Sequence, residues 1–232
     1  MSMLSNSNIL ILIIMSILFL SVHGHREKKQ GDALCPNLIS VLCVKNVLLD
    51  ISNAADEINI IANKIEQYIL DHEPNSEALK TYIDDKTKYI KSNLLRSDYH
   101  DRFMSIQNNI NKTDFINLIQ EEHNAFSYLY NSIHNILKIR NIFGTSVDDS
   151  FKTILNNLQK NILCKYRSIL HVYSDSWSRI DEINGIEILR MRKRNAPSFF
   201  HNAYSMIFVQ LLQEWIKNVN NIVVNIDSKY LR

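Results

Sequence analysis

Apolar residues recur along most of this chain at alternating spacings of four and three, the mark of a single buried stripe on an α-helix. From about Leu38 to Asp71 the stripe is Val44, Leu48, Ile51, Ala55, Ile58, Ala62, Ile65 and Ile69, with Asp50, Asn53, Glu57, Lys64 and Gln67 on other faces. From about Asp114 to Ile142 it is Phe115, Ile119, Phe126, Leu129, Ile133 and Ile136, and Glu122 interrupts it. A third stripe, about Val147 to Tyr173, holds Phe151, Leu155, Leu158, Ile162, Tyr166 and Ile169; Asp148 and Asp149 suit the positive end of that helix. The last, about Ser198 to Tyr230, holds Phe208, Leu212, Trp215, Val219, Ile222 and Ile226, with Ser198 after Pro197 as an N-cap region.

The spacing between these four predicted helices carries topology. About 40 residues separate the first from the second, only a few around Phe143-Gly144-Thr145-Ser146 separate the second from the third, and about 24 precede the fourth. A short connection makes neighbours antiparallel, whereas a long one can cross a bundle and leave its helices parallel. Long, short, long therefore predicts an all-α, up-up-down-down four-helix bundle with two long crossover connections. The first crossover has extra short helices: Leu79, Ile83, Ile90 and Leu94 fit one, Tyr99, Phe103, Ile106 and Ile110 another. The same pattern also fits a six-helix globule.

Ahead of the first stripe, residues Asn8 to Val22 form a nearly unbroken uncharged apolar run. It is short of the roughly 20 residues of a comfortable membrane span, ends at Val22-His23-Gly24, and is followed by basic residues. It reads as a signal peptide, residues 1–24, leaving a helical domain of residues 25–232; an uncleaved anchor is the alternative. No second long apolar run follows, so a secreted, extracellular protein without stable membrane insertion is expected after its removal. In an oxidising compartment two of the three cysteines should pair. In the predicted topology Cys43 and Cys164 differ in height by less than about 10 Å. A bridge from Cys43 to Cys164 is expected, with Cys35 as the alternative partner; a short Cys35–Cys43 loop would stabilise less.

Composition narrows the function. Four glycines and three prolines are too few for a β-sandwich of this size. A net charge of +2 is too small to point to nucleic acid. No enzymatic motif stands out: Gly144 and Gly185 are isolated, so no phosphate loop forms, and no Gly-x-Ser-x-Gly elbow or His-Glu-x-x-His pair occurs. Glu121, Glu122 and His123 are adjacent, and one helical turn cannot aim all three at one metal; neither metal nor cofactor is expected. His123 and His134 read as surface or boundary residues, Trp177 and Trp215 as core or boundary residues. Asn111-Lys112-Thr113 is a glycosylation sequon at Asn111. Arg190-Met191-Arg192-Lys193-Arg194 is a basic run that offers a processing site at Lys193 and Arg194, or contact with acidic matrix glycans.

The signal peptide, four stripes, long-short-long connections and cysteine placement together resemble a long-chain four-helix cytokine of the interleukin-6 class. The resemblance covers residues 35–232 and lies in architecture. A tie from the N-terminal region to the third helix is similar to that of the leukaemia inhibitory factor and oncostatin branch. The Asn, Ile and Lys bias suggests an AT-rich genome, and within the class the chain resembles an insect Unpaired-type ligand. The resemblance implies a ligand that binds a cell-surface cytokine receptor and activates JAK/STAT-type signalling. It implies receptor contact through the solvent faces of the first and last helices, which by helical spacing offer Asp50, Asn53, Glu57 and Lys64, and Gln210, Glu214, Lys217 and Asn221. Two other functions fit a secreted helical domain: a carrier of a lipid or small apolar ligand, and an effector binding a host protein.

Overall fold

A computed structural model of the chain describes residues 34–35, 41, 43–72, 77–107, 109–138, 145–174, 183–186 and 198–229. The signal-peptide segment, Trp177 and the basic run with Lys193 and Arg194 lie outside them. The chain divides at Pro36–Asn37 into two units; the helices all belong to the second. The described residues are all-helical, with no β-strand among them. The long helices are α1 (Val44–His72), α4 (Lys112–Leu137) and α7 (Ser198–Lys229). The first crossover holds two helices, α2 (Glu77–Asn93) and α3 (Asp98–Ser105). The third long helix is α5 (Thr145–Asn157), a π-helical stretch (Leu158–Leu163) and α6 (Cys164–Tyr173), without a break.

The apolar stripes form the core. Every stripe residue of α1 and α7 is buried, and so is every one of α4. Residue pairs give the helix directions. Between α1 and α7, Ser52 and Asp56 bond Asn220, while Asn63 and Glu66 bond Gln213. Numbers rise on one helix as they fall on the other, so the two are antiparallel. Between α4 and α6, Phe115 meets Tyr173, His123 meets Arg167 and Phe126 meets Tyr166, again antiparallel. The third long helix also packs on α1, and α4 on α7.

Two departures from simple stripes have local causes. In the third helix Ile154 is buried and Leu155 only half-buried. The wider i→i+5 turn lags behind an α-helix, so Leu158, Ile162 and Leu163 all reach the core and the stripe resumes at Tyr166. In α7, residues from His201 to Leu212 are buried nearly all round, with Tyr204 and Gln210 half-buried. The cause is that α2 and α3 join α1 and α4 in packing on this helix. α2 runs beside α7 in the same direction, through Tyr82 Oη to Tyr204 Oη at 3.1 Å and Lys91 to Glu214 at 2.6 Å. Of the first-crossover positions, Ile83, Ile90, Phe103 and Ile110 are buried, while Leu94 and Tyr99 are exposed.

Residues 183–186 lie against α4 as a strap. Asn131 Nδ2 donates to the Ile183 carbonyl at 2.9 Å, Asn135 Nδ2 to that of Ile186 at 3.2 Å, and the Ile186 N–H donates to Ser132 Oγ at 2.9 Å. A Cβ at Gly185 would overlap the backbone of Asn131 and Ser132; glycine is what lets the strap approach this closely. The expected Cys43–Cys164 bridge gives way to its alternative. Cys164 is bonded to Cys35, and Cys43, which precedes α1 with its side chain at the surface, is a free thiol.

Candidate functional site

The eight residues expected at a receptor surface have different surroundings. On α1, Ser52, Asp56, Asn63 and Glu66 share the flank along which α7 lies. By helical spacing Asp50, Asn53, Glu57 and Lys64 fall on the outer face, opposite the stripe. Asp50 there pairs with Lys165 of α6 at 3.0 Å, and Asn53, Glu57 and Lys64 are exposed. On α7, Glu214 is engaged by Lys91 of α2 and Gln210 is half-buried, whereas Lys217 and Asn221 are exposed.

What joins α1 to α7 at the surface is a polar seam that helical spacing alone did not single out. Ser52 Oγ donates to Asn220 Oδ1 at 2.6 Å and Asn220 Nδ2 donates to Asp56 Oδ1 at 2.8 Å. Gln213 Nε2 donates to Asn63 Oδ1 at 2.7 Å and to Glu66 Oε2 at 3.0 Å. The available signal was that polar residues flank both stripes one position outside the apolar set, where facing helices exchange edge contacts. Beside the seam stand exposed apolar side chains: Ile60 at 57% and Leu49 and Leu70 on α1, and Val224 at 79% on α7. Trp215, read from the sequence as a core or boundary residue, is buried.

The interface of α4 with α6 is chemically different. Glu122, the residue that interrupts the α4 stripe, is fully buried, and neither carboxyl oxygen has a hydrogen-bond partner. Burial, reinforced by the like charge of Glu121, pushes its carboxyl well above the usual carboxylate range. Tyr166 Oη is also buried without a partner, and burial holds its phenol well above its ordinary value. His123 is buried rather than at a boundary: its Nε2 accepts from Nε of Arg167, itself buried, at 3.1 Å, which places the lone pair on that nitrogen. His134 is exposed.

Glu121 turns the other way, toward α3. Its two oxygens accept from the backbone N–H groups of Tyr99 and His100 at 2.9 and 2.8 Å, supplying the cap that Ser97 does not. Glu121, Glu122 and His123 thus point to three different surroundings, and no cluster able to hold a metal occurs among the described residues.

Asn111 is exposed and N-caps α4: its Oδ1 accepts from the Asp114 N–H and its Nδ2 donates to the Asp114 carboxylate, both at 2.8 Å. A depression of about 460 Å³ beside α2 is open and lined by Asp84, Thr87, Lys88, Lys91 and Ser92. Its openness to solvent is unlike the enclosed chamber of a lipid carrier. No described helix is long and apolar enough to cross a membrane, and a disulfide suits an oxidising compartment. No protein-family model, curated protein or solved structure matches the chain.

Proposed function

We propose that this chain is a secreted, cytokine-like ligand that acts by recognition and not by catalysis, binding a cell-surface receptor and activating JAK/STAT-type signalling. The reading rests on an up-up-down-down course of the four long helices. Its main support is direction: α1 is antiparallel to α7, and α4 to α6. Asp50, near the start of α1, pairs with Lys165 in the last part of the third helix, while α1 also packs on α5. A parallel course through that pair would carry α5 past the beginning of α1, so these contacts favour antiparallel α1 and third helix. Two helices up and two down is the course that these three relations support. The apolar N-terminal run and the disulfide support secretion.

The receptor surface in this reading is the outer face of α1 and α7. Ile60 and Val224 supply apolar anchors, the seam supplies amides and carboxylates, and Asn53, Lys64, Lys217 and Asn221 form the rim. Residues 25–232, purified with the disulfide intact, should trigger STAT phosphorylation in responsive cells and lose that activity when the receptor is depleted. An Ile60→Asp variant that folds normally should signal at least tenfold more weakly, the scale of one lost anchor. Folded protein that binds no receptor ectodomain and triggers no phosphorylation would sink the proposal.

A further inference from the structure

Glu122 lies on the face of α4 marked by the apolar stripe, between Ile119 and Phe126, and is as buried as they are. Tyr166 of α6 stacks on Phe126 with ring centroids 6.1 Å apart and feels the Glu122 charge. The carboxyl and the phenol therefore share one dry interface, and neither has a hydrogen-bond partner. A carboxylate is tolerated in such a place only when paired or hydrogen-bonded; a neutral acid costs far less and can donate. We propose that Glu122 is a proton-linked switch at the α4–α6 interface, which holds while the carboxyl is neutral and loosens when the proton leaves. This inference does not rest on the receptor reading.

The other charged groups near this interface do not neutralise Glu122. Glu121 is a like charge and faces α3, where Asp98 and Asp101 bear on it. On α6, Arg167 donates to His123. On α5 and the π-helical stretch, Asp149, Lys152 and Lys160 are exposed and Asp148 is half-buried. On α7, burial lowers the His201 imidazole from 6.5 to about 4, so it is neutral in the fold.

The direction of the pH effect follows from proton counting. In the unfolded chain Glu122 ionises near its ordinary 4.5, whereas in the fold it keeps its proton well above that. The folded state binds the extra proton across this window, so the stabilisation is complete below 4.5 and is lost as pH rises toward the folded value. His201 acts in the opposite sense. Its unfolded imidazole is charged below 6.5 and its folded one is not above about 4, so its contribution improves with pH between these values. The two oppose each other from 4.5 to 6.5, and the carboxyls of Glu121 and Asp148, which burial also raises, act in the same sense as Glu122.

The test is urea unfolding of residues 25–232, disulfide intact, for the wild type and Glu122→Gln in parallel upward from pH 4.5. The wild type should lose stability relative to the variant as pH rises, its unfolding constant gaining at most tenfold per pH unit, or about 1.4 kcal/mol. Glu122→Gln should flatten that slope and be the more stable protein at the alkaline end. Glu121→Gln should retain a slope but end it at lower pH, because the like charge that helps raise Glu122 is gone. A Glu122→Gln protein with the wild-type slope would overturn the switch. Should Glu122→Gln fail to fold, infrared spectroscopy of the wild type decides. A protonated-carboxyl band that persists above the ordinary 4.5 supports the proposal, and its absence overturns it.

Discussion

The α1–α7 and α4–α6 interfaces place polar groups in opposite ways. Between α1 and α7 the centre is apolar: Ile51, Ala55, Ile58 and Ala62 on one helix, Leu212, Trp215 and Val219 on the other. Polar residues stand at the rim, and Asn220 and Gln213 each bond two partners across it. Between α4 and α6 the polar groups are inside. Glu122, His123, Arg167 and Ser168 are buried, and the Glu122 carboxyl and Tyr166 hydroxyl are left without partners. The first arrangement stabilises at its centre through area removed from water, which involves no proton. The second gives up some stability, because an unmade hydrogen bond in the core costs about 1–3 kcal/mol. In exchange its strength depends on a proton.

Three substitutions sharpen this contrast. Ile58→Ala, in the dry centre of α1–α7, should lose about 2–5 kcal/mol. Urea unfolding at several pH values should give the same loss at each; a loss that varies with pH would couple this apolar centre to a titrating group. Gly185→Ala tests how far α4 depends on its strap, because the new methyl meets α4 backbone and not a movable side chain. About 1–3 kcal/mol is expected, the range for forced overpacking. Hydrogen exchange should show faster opening of the Ile186 N–H, and unchanged exchange there would refute the close approach. Asn220→Ala removes two rim hydrogen bonds of the seam and should cost least, about 0.5–1.5 kcal/mol, read as a small drop in thermal midpoint. A loss as large as that of Ile58→Ala would mean that the seam, and not the apolar centre, holds the two helices together.

Much of the helical scaffold was legible because burial on one side imposes a period. The stripes of α1, α4 and α7 are buried residue for residue. The helices of the first crossover were legible as two short apolar patterns, through Ile83 and Ile90 and through Phe103, although Ile106 and Ile110 lie beyond the end of α3. Glu122 was visible as the break in its stripe, but periodicity cannot say whether a break turns a charge to solvent or buries it. The register change in the third helix was not visible, since Ile154 and Leu155 are equally apolar. Only the π-helical turn decides which of them faces inward. The polar seam was hidden for a related reason: one helix has two flanks, and its sequence does not say along which of them a partner lies.

The sequence by itself determined the all-helical class, the stripes that face inward and two short helices in the first crossover. These follow from local periodicity and chain length. Tertiary structure decided which flank of α1 meets α7, that α2 and α3 cover the first half of α7, and that Cys35 rather than Cys43 is the partner of Cys164. It also decided that Glu122 is inside. Each of these depends on contacts between residues far apart in the chain, and a free energy of burial or pairing exists only once both partners are in place.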